Sequence, residues 1–327
     1  QRAVFTGMTV GLIVQAILDF QTFFVFVNLM LLCLYVPVVG HRVLAVMAGL
    51  MQRNTVHVSD REIDGLRDGD LPVYTILCPL YHEKEVAQNL VHYLGRLDYP
   101  ADKLDVKLLV EEDDAETAEA LKQSDLPPWM ETVVVPEGVP KTKPRACNWG
   151  MKEARGRLVV IYDAEDHPEP DQLKKAVAAF RRTGPDVGCL QAKLNFYNRS
   201  DNLLSRWFTA EYTTWFDLYL PGVHALGGPV PLGGTSNHFK REVLEKTGGW
   251  DAYNVTEDCD LGIRLEEHRT QTLILDSTTW EEATTNPRAW VLQRSRWMKG
   301  FWQTFLVHTQ YPLRTIKTLG LWKFTMM

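Results

Sequence analysis

A short apolar stretch of the chain ends abruptly in carboxylates. Residues 158–162 read LVVIY, and Asp163, Glu165 and Asp166 follow directly. Such a run predicts a buried strand, and the carboxyl ends of the strands in an open α/β sheet border the ligand crevice. Carboxylate oxygens are the ligands that Mg²⁺ and Mn²⁺ prefer, and these ions commonly bridge to substrate phosphates. The stretch therefore predicts a cation and phosphate site, with a solvated acidic turn as the alternative.

Polar residues also follow two other predicted strands. Tyr81 and Glu83 come after the first strand, and four acids at 111–114 come after the second. Between these segments, Lys143 lies in a basic stretch that opens a predicted helix, where a lysine suits a phosphate. Several such groups along one margin of a sheet favour a binding site over a set of unrelated turns.

Two further segments carry small or acidic residues suited to a ligand. Gly234 and Thr235 belong to a pair of glycines followed by small polar residues, which is expected where backbone approaches a ligand closely, although a simple turn would look the same. Glu257 and Asp258 follow Thr256, a natural helix N-cap. Acids in a first helical turn complement the helix dipole, so these two are either structural or include a general base.

A helix predicted to begin at Pro287 carries Gln293, Arg296 and Trp297 on one face, because they are spaced by three and four residues. That face combines an amide, a guanidinium suited to phosphate and an indole suited to stacking on a sugar. The alternative is a buried arginine–tryptophan packing pair.

The order of the predicted elements indicates the fold class. Strands and helices alternate between residues 73 and 300, which predicts an α/β fold with a doubly wound, mostly parallel sheet and a nucleotide-type crevice. Neither a G-x-G-x-x-G nor a Walker A sequence follows the first strand, which argues against dinucleotide cofactors and P-loop chemistry. A net charge of -6, without a dense basic run before the C-terminal end, argues against nucleic acid as a partner.

Two apolar runs precede this domain. Residues 3–18 and 23–50 each approach the roughly 20 residues needed to cross a bilayer, and Asp19 between them suits the turn of a helical hairpin. They are predicted to be transmembrane, with a buried hairpin in a soluble core as the alternative. Arg42 and Arg53 place the rest of the chain in the cytoplasm by the positive-inside tendency, and five cysteines without C-x-x-C spacing favour a reducing compartment.

The chain is thus predicted to have four parts. These are transmembrane helices over 1–50, a polar linker over 51–72, a cytosolic α/β domain over 73–300 and an amphipathic membrane-interface segment over 301–327. The basic side of the last segment carries Arg314, Lys317 and Lys323, and an ordinary packed surface helix is the alternative.

The spaced acids, followed by the Q-x-x-R-W sequence at 293–297, resemble the processive branch of glycosyltransferase family 2, which includes the cellulose, hyaluronan, chitin and mixed-linkage glucan synthases. The resemblance covers about two thirds of the chain, from Tyr81 to Trp297. It implies a GT-A type fold, Mg²⁺ or Mn²⁺ as the cation, a UDP-sugar as the expected donor and a growing polysaccharide as the acceptor. It also implies an integral membrane protein with a cytoplasmic catalytic domain.

The resemblance assigns roles to individual residues. By this resemblance, the nucleoside contacts are Tyr81, Glu83 and Asp113, and the diphosphate contacts are Lys143, Gln293 and Arg296. It implies Asp163 and Glu165 as the cation ligands and Asp258 as the catalytic base. The implied sugar and acceptor contacts are Gly234, Thr235, Glu257 and Trp297. Two assignments stay open, because Asp166 could replace Glu165 as the second cation ligand and other acids within 111–114 could replace Asp113.

The implied reaction is an inverting displacement. Asp258 would remove a proton from an acceptor hydroxyl as that hydroxyl attacks the anomeric carbon of an α-linked nucleotide sugar, giving a β-linkage. Two alternatives remain open: a non-processive transferase acting on a lipid-linked acceptor, and a catalytically silent nucleotide-sugar-binding module.

The base assignment gives a first testable prediction. Asp258→Asn is expected to abolish transfer while leaving nucleotide binding nearly intact, because an amide keeps the size of the side chain but cannot take up the proton of the acceptor hydroxyl. Turnover of a labelled nucleotide sugar and calorimetric binding of the nucleoside diphosphate measure the two properties separately. Equal loss of both would count against Asp258 as the base.

Overall fold

The computed structural model describes residues 11, 17, 19–52, 54–83 and 87–327. Within them, nine strands form one sheet in the order β1-β9-β7-β8-β5-β2-β3-β4, with β6 paired to β9. Most neighbours are parallel, whereas β8 runs antiparallel to both β5 and β7 and β6 runs antiparallel to β9. The sheet is therefore mixed and mostly parallel, as the sequence predicts.

The strands are β1 (Thr55–Val56), β2 (Tyr74–Leu80), β3 (Leu104–Glu111), β4 (Met130–Val135), β5 (Leu158–Ile161), β6 (His167–Pro168), β7 (Val187–Phe196), β8 (Asn237–Lys240) and β9 (Gln271–Glu281). The α-helices are α1 (Phe20–Gln52), α2 (Asp60–Asp64), α3 (Ala87–Leu94), α4 (Ala115–Gln123), α5 (Lys143–Gly150), α6 (Gln172–Arg182), α7 (Leu203–Thr213), α8 (Leu220–Ala225), α9 (Arg241–Lys246), α10 (Glu257–Glu267), α11 (Pro287–Thr309), α12 (Pro312–Leu319) and α13 (Leu321–Met326). A π-helix over Thr214–Tyr219 joins α7 to α8, and short 3₁₀ turns cover Asp68–Asp70 and Ala101–Lys103.

Helices cover both faces of the central strands β2 and β5, so these two strands are buried and mostly apolar. Successive residues of a strand point to opposite faces, and Ile76 accordingly belongs to one core cluster while Leu77 belongs to the other. The first cluster includes Leu94 of α3 and Leu173 of α6, and the second includes Leu261 of α10. Burial on both faces explains why the sequence of these strands reads as continuous apolar runs rather than alternating ones.

The segment predicted as a polar linker is packed against the domain. The short strand β1 pairs in parallel with β9 at the edge of the sheet. Arg182 of α6 donates to the Glu62 carboxylate at 2.9 Å and to the carbonyl oxygen of His57 at 2.7 Å. Glu62, one of the charged residues of this segment, therefore makes an ion pair with α6. A two-residue strand has no periodic pattern that would have revealed β1.

Only the second of the two predicted N-terminal spans can be placed. Most of the first apolar run and Arg53 lie outside the described residues, so the predicted hairpin is not visible as a whole. Asp19 caps the start of α1, because its carboxylate accepts the backbone N–H of Thr22 at 3.1 Å. Among the described residues, α1 is the one helix long and apolar enough to cross a membrane by length and composition, and its most apolar stretch is not buried by the domain.

The C-terminal end of α1 packs tightly on the α/β domain. A Cβ added to Gly222 of α8 would lie 1.7 Å from the carbonyl oxygen of Ala45, and one added to Gly49 would lie 2.0 Å from the carbonyl oxygen of Leu218. The backbones of α1, α8 and the π-helix therefore touch, which only glycine permits at these positions. This junction attaches the apolar helix rigidly to the domain.

Residues 301–327 comprise the end of α11 together with α12 and α13. Their outer surface is strongly apolar, with Trp302, Leu306 and Leu313 exposed, while Thr304 and Thr315 are buried against the domain. The segment is thus helical, with one side apolar and exposed and the other buried against the domain. Its contact with a membrane stays a prediction.

The close contact at Gly222 can be tested by substitution. Gly222→Ala is expected to lower the free energy of unfolding by about 1–3 kcal/mol, the usual range for overpacking, as measured by thermal unfolding in detergent. Gly40→Ala is the matched control, because it lies in α1 with nothing within 4 Å of the added Cβ and alanine has the higher helix propensity. Equal melting temperatures for the two variants would contradict a packed junction.

Candidate active site

A crevice of about 420 Å³ lies at the carboxyl ends of β2, β3 and β5. Parallel strands direct their carboxyl ends to one edge of the sheet, which is where ligands bind in open α/β folds. Of the residues predicted for the site, six line this crevice: Tyr81, Glu83, Lys143, Asp163, Glu165 and Arg296. The sheet and α11 therefore bring together residues that are more than 200 positions apart in the sequence.

The three acids in the turn after β5 lie in different environments. Asp163 and Glu165 line the crevice. Asp166 is 0% exposed, and its carboxylate accepts the backbone N–H of Asp163 at 2.7 Å and the hydroxyl of Thr235. The hydrogen bonds of Asp166 therefore stabilise the turn from its buried side. Thr235, which was predicted to contact the sugar, is itself buried.

Lys143, the first residue of α5, neutralises part of this acidic edge. Its ammonium group pairs with the Asp163 carboxylate and donates to the carbonyl oxygen of Gly234 at 2.7 Å. Burial alone would lower the pKa of Lys143, but Asp163 and the nearby Glu257 raise it above its usual value. The side chain is thus a permanent cation between the β5 turn and the segment before β8.

The remaining carboxylates raise one another's pKa. Burial raises the pKa of Glu165, and so do the charges of Asp163 and Glu83. Burial also raises the pKa of Glu281 well above its usual value, with Asp166 and Asp163 adding to the effect. Such mutual repulsion is relieved when a cation binds. The sequence analysis did not select Glu281, although the adjacent acids Glu281 and Glu282 at the end of the stretch that forms β9 were the available signal.

These groups suit a divalent cation that is coordinated partly by the protein and partly by a bound phosphate. Asp163 and Glu165 both offer oxygen atoms to the crevice, and the Oδ1 atom of the buried Asp166 has no hydrogen-bond partner among the described residues. Across the described part of the chain, no three His, Cys, Asp or Glu side chains are grouped as a metal cage. One or two carboxylates completed by substrate phosphates are the usual Mg²⁺ arrangement, so Asp163 and Glu165 are the residues that would hold the ion.

The acids at 111–114 do not share one environment. Glu111 lines the crevice and accepts from Arg145 at 3.0 Å. Asp114 caps α4 and accepts the backbone N–H of His82 at 2.6 Å. Asp113, predicted to contact the nucleoside, is not among the residues that line the crevice and instead pairs with Lys141 at the surface. The geometry therefore favours Glu111 over Asp113 for a contact in the crevice.

Asp258 and Glu257 lie in the first turn of α10, beside Gly234. A Cβ on Gly234 would lie 3.6 Å from Oδ2 of Asp258, and the other Asp258 oxygen accepts the N–H of Cys259 at 2.7 Å. Burial raises the pKa of Glu257, and the neighbouring Asp258 adds to the shift. Burial also raises the pKa of Asp258. The two acids are adjacent and do not ionise independently, and both favour the protonated form more than an exposed acid does.

The three α11 residues predicted for the site have different surroundings. Arg296 lines the crevice, whereas Trp297 packs on Phe208 with ring centroids 6.2 Å apart. The Oε1 atom of Gln293 is buried without a hydrogen-bond partner in the described structure. Arg294, which the sequence analysis did not select, donates to Glu211 at 2.7 Å and fixes α11 against α7. Arg296 is thus the residue of this helix that the fold delivers to the crevice.

Comparison with known proteins agrees with this architecture. Residues 72–300 match the family model described as "Glycosyltransferase like family 2". The match covers well over half of the chain, so the chain belongs to glycosyltransferase family 2. The family part of the predicted resemblance is confirmed.

Among similar proteins is the beta-monoglucosyldiacylglycerol synthase of Synechocystis sp., which is 28% identical over 263 residues, covering 78% of this chain and 54% of the relative. This chain therefore spans about half the length of that relative. Among solved structures, a Pyrobaculum calidifontis mannosyltransferase bound to GDP-Man and Mn²⁺ has a TM-score of 0.62 at 20% identity, covering 89% of this chain and 77% of that one.

The Mycobacterium tuberculosis glucosyl-3-phosphoglycerate synthase, solved with Mn²⁺, UDP and phosphoglyceric acid, has a TM-score of 0.50 at 18% identity, covering 77% of this chain and 84% of that one. At these identities the two structural likenesses establish the GT-A fold alone. The relatives give no support to the processive, polysaccharide-synthesising subtype that the sequence predicted, and the curated relative is named for a lipid product instead.

Proposed function

We propose that this protein transfers a hexose from a nucleotide sugar to the hydroxyl of a membrane lipid of the diacylglycerol type, without processive elongation. The observation that carries the proposal is the two-sided character of α11. This helix delivers Arg296 to the polar crevice and exposes Phe301, Trp302 and Leu306 within the following three turns. A donor crevice bordered by exposed apolar side chains suits an acceptor whose hydroxyl end is polar and whose body is apolar.

Related proteins support the same chemistry. The Synechocystis relative is named as a glucosyldiacylglycerol synthase, and the two structural neighbours hold GDP-Man or UDP together with Mn²⁺. By analogy, Tyr81, Glu83 and Glu111 contact the nucleoside of the donor. Lys143 and Arg296 contact its diphosphate. Gln293, Gly234, Glu257 and Trp297 border the sugar and acceptor.

The cation belongs at Asp163 and Glu165, with Asp166 holding the turn behind them. When bound, Mg²⁺ or Mn²⁺ neutralises the charge of the diphosphate leaving group. Lys143 and Arg296 act on the same charge as it develops. Lys143 is the first residue of α5, Arg296 lies in α11, and both line the crevice.

The transfer is a single inverting displacement. The acceptor hydroxyl oxygen attacks the anomeric carbon, the bond from that carbon to the diphosphate oxygen breaks with its electron pair, and Asp258 takes up the hydroxyl proton. The pKa of Asp258, raised by burial, makes its carboxylate a stronger base than an exposed aspartate.

Two features support the membrane arrangement of this proposal. The helix α1 packs on α8, and α13 reaches the end of the same helix, where the indole of Trp322 donates to the carbonyl oxygen of Leu226 at 2.7 Å. The stretch 287–327 also carries seven lysines and arginines and no acid, which favours an anionic lipid surface. In this proposal, α1 spans the bilayer, 54–300 is cytoplasmic and 301–327 lies at the interface.

The acceptor assignment is tested with the purified chain in detergent. Labelled UDP-glucose or GDP-mannose is supplied with Mn²⁺ and either diacylglycerol micelles or a soluble oligosaccharide, and the products are separated by size and by extraction into organic solvent. The expected product is a lipid carrying one hexose, absent from the Asp258→Asn variant. A long polymer, or transfer to the oligosaccharide alone, would contradict the proposal.

A further inference from the structure

We propose that His308 and Asp260 form a positioning pair, which holds the helix carrying Arg296 in register with the helix carrying Asp258. The inference rests on the function proposed above, in which Arg296 contacts the leaving group and Asp258 is the base. Neither His308 nor Asp260 lines the crevice, so both act through other residues.

The pair is buried and makes a charged network. His308 of α11 is 7% exposed and Asp260 of α10 is 3% exposed. Nε2 of His308 lies 2.9 Å from the Asp260 carboxylate, and Nδ1 lies 3.3 Å from the carboxylate of Glu267. Burial alone would lower the pKa of His308, but the hydrogen bonds to the two carboxylates raise it to about 9. The imidazole is therefore a cation at neutral pH, with both nitrogens donating.

Asp260 depends on this cation. Its second oxygen accepts from Arg264 at 2.7 Å, so the buried carboxylate is balanced by one cation from its own helix and one from α11. Removing one partner of a buried ion pair leaves an uncompensated charge, which is strongly unfavourable. The contact between α10 and α11 is therefore specific for this pairing rather than a general apolar surface.

The same face of α11 makes two more contacts with the segment that carries the base. Gly300, Thr304 and His308 follow Arg296 at intervals of four residues, which places all four on one side of the helix. Asn254 donates to Thr304 at 2.8 Å. A Cβ on Gly300 would lie 2.5 Å from a side-chain carbon of Thr256.

One helix face thus ends in the crevice at Arg296 and is fixed at 300, 304 and 308 to residues 254–260. Displacement requires the hydroxyl and the leaving group to lie on opposite sides of the anomeric carbon, and a misplacement of about 1 Å can lower a rate by about 100-fold. The network sets this geometry because it fixes Arg296, on the side of the leaving group, relative to Asp258, on the side of the acceptor hydroxyl. Thr315 of α12 adds to the support by donating to the carbonyl oxygen of His308 at 2.7 Å.

The test compares His308→Gln, Asp260→Asn, the double variant and Gly300→Ala with wild type. Gly300→Ala keeps both charges but forces α11 away from Thr256. His268→Gln is the matched control, because His268 is an exposed histidine at the end of α10. For each variant, kcat, the KM for the nucleotide sugar and the calorimetric Kd for the nucleoside diphosphate are measured. Hydrolysis of the nucleotide sugar is followed in parallel, because it needs the same base but no lipid. The test of the positioning pair therefore does not depend on the identity of the acceptor.

We expect His308→Gln, Asp260→Asn and Gly300→Ala to lower kcat by about 10- to 100-fold while KM and Kd change less than about threefold. We expect the double variant to lose no more than the worse single variant, and His268→Gln to match wild type. An unchanged kcat in His308→Gln would overturn the proposal. Parallel loss of nucleotide binding and turnover in all three single variants would also overturn it, since the network would then be a general folding determinant.

Discussion

The charge at the carboxyl edge of the sheet is the constraint on which the rest of the site depends. The parallel topology brings Glu83, Asp163, Glu165 and Glu281 to one margin, where burial and mutual repulsion raise the pKa of Glu83, Glu165 and Glu281. Such a cluster is unfavourable unless cations enter it. Lys143 supplies one from the start of α5, and the crevice lining leaves room for more positive charge from a bound ion.

A second constraint is the position of α11. This helix contributes Arg296 to the crevice, packs on α7 through Arg294 and is fixed to α10 by Gly300 and His308. Its opposite side is apolar and exposed. The donor crevice, the acidic first turn of α10 and the apolar outer surface are therefore parts of one assembly. In the proposed function, lipid contact and chemistry share the same helix.

Much of this could be predicted from sequence, because the signals are local. Apolar runs that end in acids located β2, β3 and β5 and their polar margins, and the order of the motifs identified the family. Contacts set by tertiary structure could not be predicted. Whether Glu111 or Asp113 reaches the crevice depends on where β3 ends against β4, and the burial of Asp166 depends on Thr235, 69 residues away in the chain. The packing of the predicted linker depends on Arg182 in the same way.

The acceptor illustrates a different kind of limit. Acidic and basic motifs mainly describe the donor half of the reaction, where diphosphate chemistry restricts the residue types. An acceptor is recognised by shape and by exposed apolar surface. The sequence therefore predicted nucleotide-sugar chemistry and selected a polysaccharide acceptor, while the relatives and the apolar side of α11 favour a lipid.

The central claim, that the acidic edge completes a cation site together with a nucleoside diphosphate, is tested most directly by calorimetry. The Kd of UDP or GDP, whichever binds more tightly, is measured with and without Mn²⁺ for the wild type and for Glu165→Gln. The account predicts that Mn²⁺ tightens binding to the wild type by at least about tenfold, equivalent to about 1.4 kcal/mol, and that Glu165→Gln removes most of this gain. Equal Kd values for the wild type with and without Mn²⁺ would contradict it.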